Sequence, residues 1–167
     1  MVKFSKVRDV KSPERGTLGS AGIDFFVPND FKATLGPHSD LLIPSGIKIN
    51  MPEGYMLLGA DKSGVVTSAK ARMLANMPSK KDAFLGSVII GAKVIDEDYQ
   101  GEIHIHVINT SGQMLDIKPG MKIAQFIFVP VSYFELQEVP ESSLFEKKSE
   151  RGTGGFGSTN RIDKWKW

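Results

Sequence analysis

The sequence predicts an all-β domain, a sandwich or a barrel. Short apolar runs of strand length recur along the chain, and Gly, Pro and Asn punctuate them at close spacing. One stretch also alternates cleanly. Ile103, Ile105 and Val107 are interleaved with His104 and His106, the period of a half-buried strand.

The expected strands, in order, are 23–27, 41–44, 46–49, 55–58, 87–90, 102–107 and 123–131. A hairpin is expected over 94–103. Val94-Ile95 leads in, Asp98-Tyr99-Gln100-Gly101 supplies turn chemistry with Gly101 able to take a positive φ, and the alternating strand leads out. No internal repeat is present. Two regions depart from the β pattern. Residues 65–85 are long for a connection, and Ser68 to Asn76 within them reads as a short helix capped by Ser68 and ended before Pro78. From Glu146 the chain turns charged and then glycine-rich, with almost nothing to bury, so this tail is expected to be mobile when alone. The organisation that follows is a β domain over 1–145, carrying an insert at about 65–85, and a C-terminal arm over 146–167.

With 167 residues, 41% of them hydrophobic, one domain with a full core is expected. No stretch reaches the length of a membrane span, and Met1 to Ser5 lacks the apolar run of a signal peptide. The chain has no cysteine, which removes disulfides, thiolate metal sites and cysteine nucleophiles and fits a reducing compartment. A cytoplasmic location is therefore expected. A net charge of +2 and a pI of 8.8 are too weak to indicate a nucleic-acid partner. They remain compatible with a small anionic ligand such as a nucleotide.

Three segments carry chemistry. Asp96, at the end of a strand, can serve as a general base toward water, held at fixed separation from the Tyr99 ring; as a bare pattern the same segment is an acidic surface turn. Arg151 to Asn160 has glycines whose amides, Gly157 included, can converge on an anion. Ser158 and Thr159 add hydroxyls, Arg151 adds a charged fork, and Phe156 offers a ring to stack on a base. It is not a P-loop, because no Lys precedes Ser158. Lys62, Ser63 and Gly64 can form a second phosphate contact. His104 and His106 share a strand face. His38 is the only other histidine, so they read as solvated residues rather than a zinc pair.

Taken in order, these pieces resemble the homotrimeric dUTP pyrophosphatase (dUTPase) family. Ala21-Gly22-Ile23-Asp24-Phe25 is similar to its first motif and Lys62-Ser63-Gly64 to its second. Gly91 through Gly101 is similar to the third, Gly120 through Gln125 to the fourth, and Arg151 through Thr159 to the fifth. The resemblance implies a jelly-roll-like subunit and a homotrimer with shared active sites. It also implies Mg²⁺-dependent hydrolysis of dUTP to dUMP and pyrophosphate, which limits uracil in DNA and supplies dUMP for thymidylate synthesis. On this resemblance Asp96 activates the water, and Tyr99 packs under the deoxyribose and excludes a 2′-hydroxyl. Backbone near Val94, Ile95 and His104 reads the uracil edge. Lys62, Ser63, Gly64, Gln125, Arg151, Gly157, Ser158 and Thr159 hold phosphates, Phe156 stacks on uracil, and Asp24 supports the metal through water.

The chain departs from the family pattern at named positions. Lys62 stands for a usual Arg and exchanges a bidentate fork for a point charge. Lys93 stands for a usual Gly, Ile90 for a polar residue of some members, and Asn160 for a common Gly. The stretch from Gly64 to Asp96 is longer than is typical. Extended forms of this kind occur among phage enzymes, which would place the protein in a host cytoplasm. Two alternatives stand beside this reading. One is a dCTP deaminase-like enzyme, which shares the fold. The other is a regulatory binding protein acting through the 65–85 insert on a protein partner.

Overall fold

In the structure, a computed structural model that describes residues 1–66 and 88–154, strand dominates as the sequence predicts. The chain divides into two units, Met1–Tyr133 and Phe134–Trp167.

The first unit runs β1 (Lys3–Lys6), β2 (Glu14–Arg15), β3 (Ile23–Phe26), β4 (Ala33–Leu35), β5 (Asp40–Pro44), β6 (Ile47–Asn50) and β7 (Tyr55–Asp61). After a short helix α1 (Ser63–Val66) come β8 (Val88–Ile90), β9 (Val94–Ile95), β10 (His104–Asn109), β11 (Leu115–Ile117) and β12 (Lys122–Pro130). The largest sheet has the order β2-β3-β12-β7-β9, and a second has the order β5-β10-β8. Two-stranded ribbons β1-β6 and β4-β11 complete the set. Every pairing is antiparallel. This is the all-β, jelly-roll-like architecture expected.

Strand alternation builds the core. Ile105 and Val107 of β10 are fully buried while His104 faces outward. On the large sheet Phe25 of β3 and Phe126 of β12 meet with ring centroids 4.5 Å apart, tilted by 50°, a favourable aromatic geometry. Leu57, Ile43, Ile47, Ile103 and Ile117 fill the space around them. The buried Asn109 uses its whole amide. It donates to Gly36 O and Gln113 O (both 2.7 Å) and accepts from the Ser111 N–H (2.9 Å) and Ser111 hydroxyl (2.8 Å). Without such partners a buried amide would destabilise the fold.

Four strands lie outside the sequence expectation. β1 is exposed throughout and β2 is a charged dipeptide, so neither shows a hydrophobic period. β4 and β11 have three residues each and pair with one another. The helix expected over Ser68 to Asn76 lies outside the described residues, as do Ser87 and the arm from Gly155 onward.

The hairpin expectation is corrected. β9 pairs with β7 (Leu57↔Ile95, Leu58↔Val94), whereas β10 pairs with β5 and β8. With both edges of β10 taken, the two arms of the expected hairpin belong to different sheets. The turn also sits earlier, closed by the Tyr99 N–H donating to Asp96 O (3.2 Å). Gly101 is not at positive φ. It is glycine for a different reason, since a Cβ there would collide with the Tyr99 ring.

In the second unit a short helix spans Glu141–Leu144, and Phe134, Leu136, Leu144 and Phe145 are exposed. Among the described residues no helix is long and apolar enough to cross a membrane.

Candidate active site

The chain from β8 to β10 makes an excursion. It leaves the three-stranded sheet at Ile90, joins the five-stranded sheet as β9, and returns at His104. Between the two crossings lies a pocket of about 190 Å³, lined by Leu42, Ala92, Val94, Ile95, Asp96, Tyr99, His104 and His106. Five of the six residues expected to surround a nucleoside and its water therefore share one cavity; the sixth, Phe156, lies outside the described residues. Leu42, Ala92 and His106 join them unanticipated; their signal was spatial, because β5 pairs with β10 and Ala92 lies in the first crossing.

Two carboxylates stake the second crossing. Glu97 Oε2 accepts from the Gly54 N–H (2.7 Å) and the Tyr133 hydroxyl (2.8 Å). Glu102 Oε1 accepts from the Gly46 N–H (2.8 Å) and Arg8 Nε (2.9 Å). Ile103, buried, donates to Ile47 O (2.9 Å) and accepts from the Ser45 N–H (3.0 Å). The Tyr99 hydroxyl donates to Glu102 O (2.9 Å), which fixes the ring against the same segment. Asp96, directly before the first of these fixed points, is exposed to solvent. The hydrogen bond to Glu97 pushes the Tyr133 phenol up, and the carboxylates of Glu97, Asp96 and Asp98 add to this. Tyr133 therefore stays a neutral donor well above neutral pH.

A charged cluster lies at the ends of β2, β3, β7 and β12. Asp24, nearly buried, accepts from Lys62 through Oδ1 and from Lys122 (3.1 Å) through Oδ2. Lys122 also reaches Glu14 (2.8 Å), which Lys11 contacts from the other side (2.7 Å). The bonds to Glu14 and then Asp24 hold the Lys122 ammonium above its ordinary pKa. Hydrogen bonds from Lys11 and then Lys122 pull Glu14 down to about 2. The point charge at Lys62 is thus already engaged by an acid of the first motif.

Asp61, the last residue of β7, bonds to the end of β8 and to β12. Its Oδ1 accepts from the Ile90 N–H (2.6 Å), its Oδ2 lies 3.8 Å from Lys93 Nζ, and its backbone O accepts from Gln125 Nε2 (2.9 Å). At Lys93 the backbone O accepts from the Gly59 N–H (2.6 Å), which ties this position to β7. Ser63 and Gly64 open α1 directly after Lys62. Among the described residues no group of three or more His, Asp or Glu is placed to hold a metal. Arg151 belongs to the second unit, where its Nε donates to Gly154 O (2.7 Å). Phe156, Gly157, Ser158 and Thr159 lie outside the described residues.

Comparison with known proteins decides the family. A family model described as dUTPase matches residues 8–160. The chain belongs to the dUTPase family. It is 33% identical over 159 residues to a deoxyuridine 5′-triphosphate nucleotidohydrolase of Wolbachia pipientis, covering 95% of this chain and 93% of that protein. Among solved structures, the dUTPase of Staphylococcus bacteriophage 80alpha with dUPNHPP superposes with a TM-score of 0.74 at 25% identity, covering 95% of this chain and 97% of that one. A mutant dUTPase from phage phi11 of S. aureus, described with a structural Mg(II) ion, shares the fold with a TM-score of 0.66 at 22% identity, covering 84% and 97%.

Glu14 provides a pH signature for the charged cluster. Its folded-state pKa lies below the unfolded one, so the pairing stabilises the protein above the ordinary carboxylate range. That contribution is lost as pH falls toward 2. Glu14→Gln is expected to have a lower Tm than the parent at pH 6, with the gap narrowing steadily toward pH 3. A gap that stays constant across that range would show that the cluster contributes no charge-dependent stability.

Proposed function

We infer that the protein is a dUTP diphosphatase, hydrolysing the α–β phosphoanhydride of dUTP with water to give dUMP and pyrophosphate. The observation that carries this is the single pocket uniting Asp96, Tyr99, Val94, Ile95 and His104 on a staked crossing. Phosphoryl transfer asks mainly for positioning and charge neutralisation. Asp96 accepts the proton of the attacking water as the new O–P bond forms and pyrophosphate departs. Tyr99, fixed through Glu102 O, takes the flat underside of the deoxyribose and leaves no room for a 2′-hydroxyl. Backbone of Val94 and Ile95, with His104, meets the uracil edge. Lys62, Ser63, Gly64 and Gln125 take the phosphates, joined by Arg151, Gly157, Ser158 and Thr159 of the arm, while Phe156 of the arm stacks on uracil.

Mg²⁺ fits the donor set. It binds through one or two carboxylates together with substrate phosphates rather than in an all-protein cage. Asp24 supplies one carboxylate whose oxygens retain lone pairs beside the two lysines. When bound, the ion neutralises charge on the triphosphate.

Asp96→Asn keeps the shape and part of the hydrogen bonding but cannot take the proton. Its kcat should fall by roughly 10²–10⁴ while dUTP still binds. A kcat near that of the parent would refute the assignment of the base.

A homotrimer with shared sites completes the reading. It is supported by the exposed apolar side chains at Phe134, Leu136 and Phe145, which another copy can cover. The arm would then serve a neighbour's Asp96. Asp96→Asn subunits and subunits truncated before Arg151 should each be nearly inactive, and verified mixed trimers should recover turnover. No recovery would mean that each arm serves its own subunit.

A further inference from the structure

The first crossing, from β8 to β9, begins with two amides that are satisfied differently. The Gly91 N–H still donates to the backbone O of His106 (2.9 Å), continuing the strand ladder. At Ala92 the ladder has ended, and the N–H donates to Nδ1 of His106 instead (3.0 Å). A backbone amide only donates, so Nδ1 presents its lone pair and the ring proton sits on Nε2. That proton is donated to Asp40 Oδ2 (3.0 Å) on β5. The ring fills space that glycine leaves for it, because a Cβ at Gly91 would collide with the imidazole. His104, two residues earlier, is held in the opposite tautomer, its Nδ1 donating to Glu102 O (2.9 Å). The two pocket histidines therefore do different work.

We propose that His106 is a positioning residue for the nucleoside: its side chain, with its tautomer set by Asp40, latches the Gly91–Ala92 wall of the pocket. Both Ala92 and His106 line that pocket. The proposal rests on the reading of this pocket as the dUTP site. An unlatched wall gives Ala92 N–H to water and must be reordered by each incoming nucleotide. Binding weakens, while the water and Asp96, on the other crossing, are undisturbed. The effect belongs in KM rather than kcat.

The test combines amide hydrogen exchange with steady-state kinetics on His106→Leu and on Asp40→Ala, whose native side chain is largely exposed and whose loss leaves the core intact. In both variants the Ala92 amide should exchange faster, while Gly91, bonded to backbone, keeps its protection. For His106→Leu, KM for dUTP should rise about five- to tenfold, the loss of roughly one hydrogen bond, with kcat within about twofold. Asp40→Ala should move KM in the same direction by less. His106→Gln, whose amide can both accept and donate, should return toward the parent. Unchanged Ala92 exchange in both variants, or a fall confined to kcat, overturns the proposal. The exchange arm needs no substrate and reports on the latch alone; absent dUTP turnover by the parent would instead count against the reading of the site.

Discussion

Both edges of β10 are occupied, and much else depends on this. β5 takes one edge and β8 the other, so β9 cannot pair with β10 as the arm of a hairpin. Buried backbone must be paired. The preceding segment meets that demand on the other sheet, where β9 adds to the free edge of β7. Two crossings between sheets result, and the pocket is the space they enclose. A hairpin would have closed that space with its own ladder. A bridge leaves side chains from both sheets facing one cavity, which is how Leu42 of β5 comes to line it with Ile95 of β9.

A bridge of this kind needs fixing, and acidic side chains do it. Glu97 and Glu102 each take one backbone amide and one side-chain donor from distant parts of the fold. Hydrogen bonds to charged acceptors are among the stronger ones available. The acid-rich sequence from Asp96 to Glu102 is thereby divided: Glu97 and Glu102 hold the loop, and Asp96 stays exposed at the pocket. The basic side is arranged in the same way. Lys62 and Lys122 converge on Asp24, which holds both ammonium groups at one point.

Much of this could be read from residues in order. Buried strands such as Ile23–Phe26 and Lys122–Pro130 carry long apolar signals and were expected close to where they fall. The alternation of Ile103, Ile105 and Val107 correctly marked the buried face of β10. What the pattern could not convey was partnership. Periodicity reports which face of a strand is buried, not which neighbour it pairs with, and Val94-Ile95 looked like the partner of the strand it leads to. Short ribbons such as β4-β11 gave too few residues for a period. Asp96, Tyr99 and His104, which share the pocket, were singled out through motif order, whereas Glu97, Glu102 and His106 make contacts with Gly54, Gly46 and Ala92 that only folding creates.

The central claim is that a staked bridge between two sheets builds a pocket selective for deoxyuridine. The most direct test compares kcat/KM of the parent for dUTP, UTP and dCTP by pyrophosphate release with Mg²⁺. A ring fixed under the sugar and a backbone edge matched to uracil predict that dUTP leads both competitors by about 10² or more, because a mismatched polar edge leaves buried groups unpaired. Comparable values for dUTP and UTP would contradict the placement of Tyr99, and comparable values for dUTP and dCTP would contradict the reading of the pocket itself.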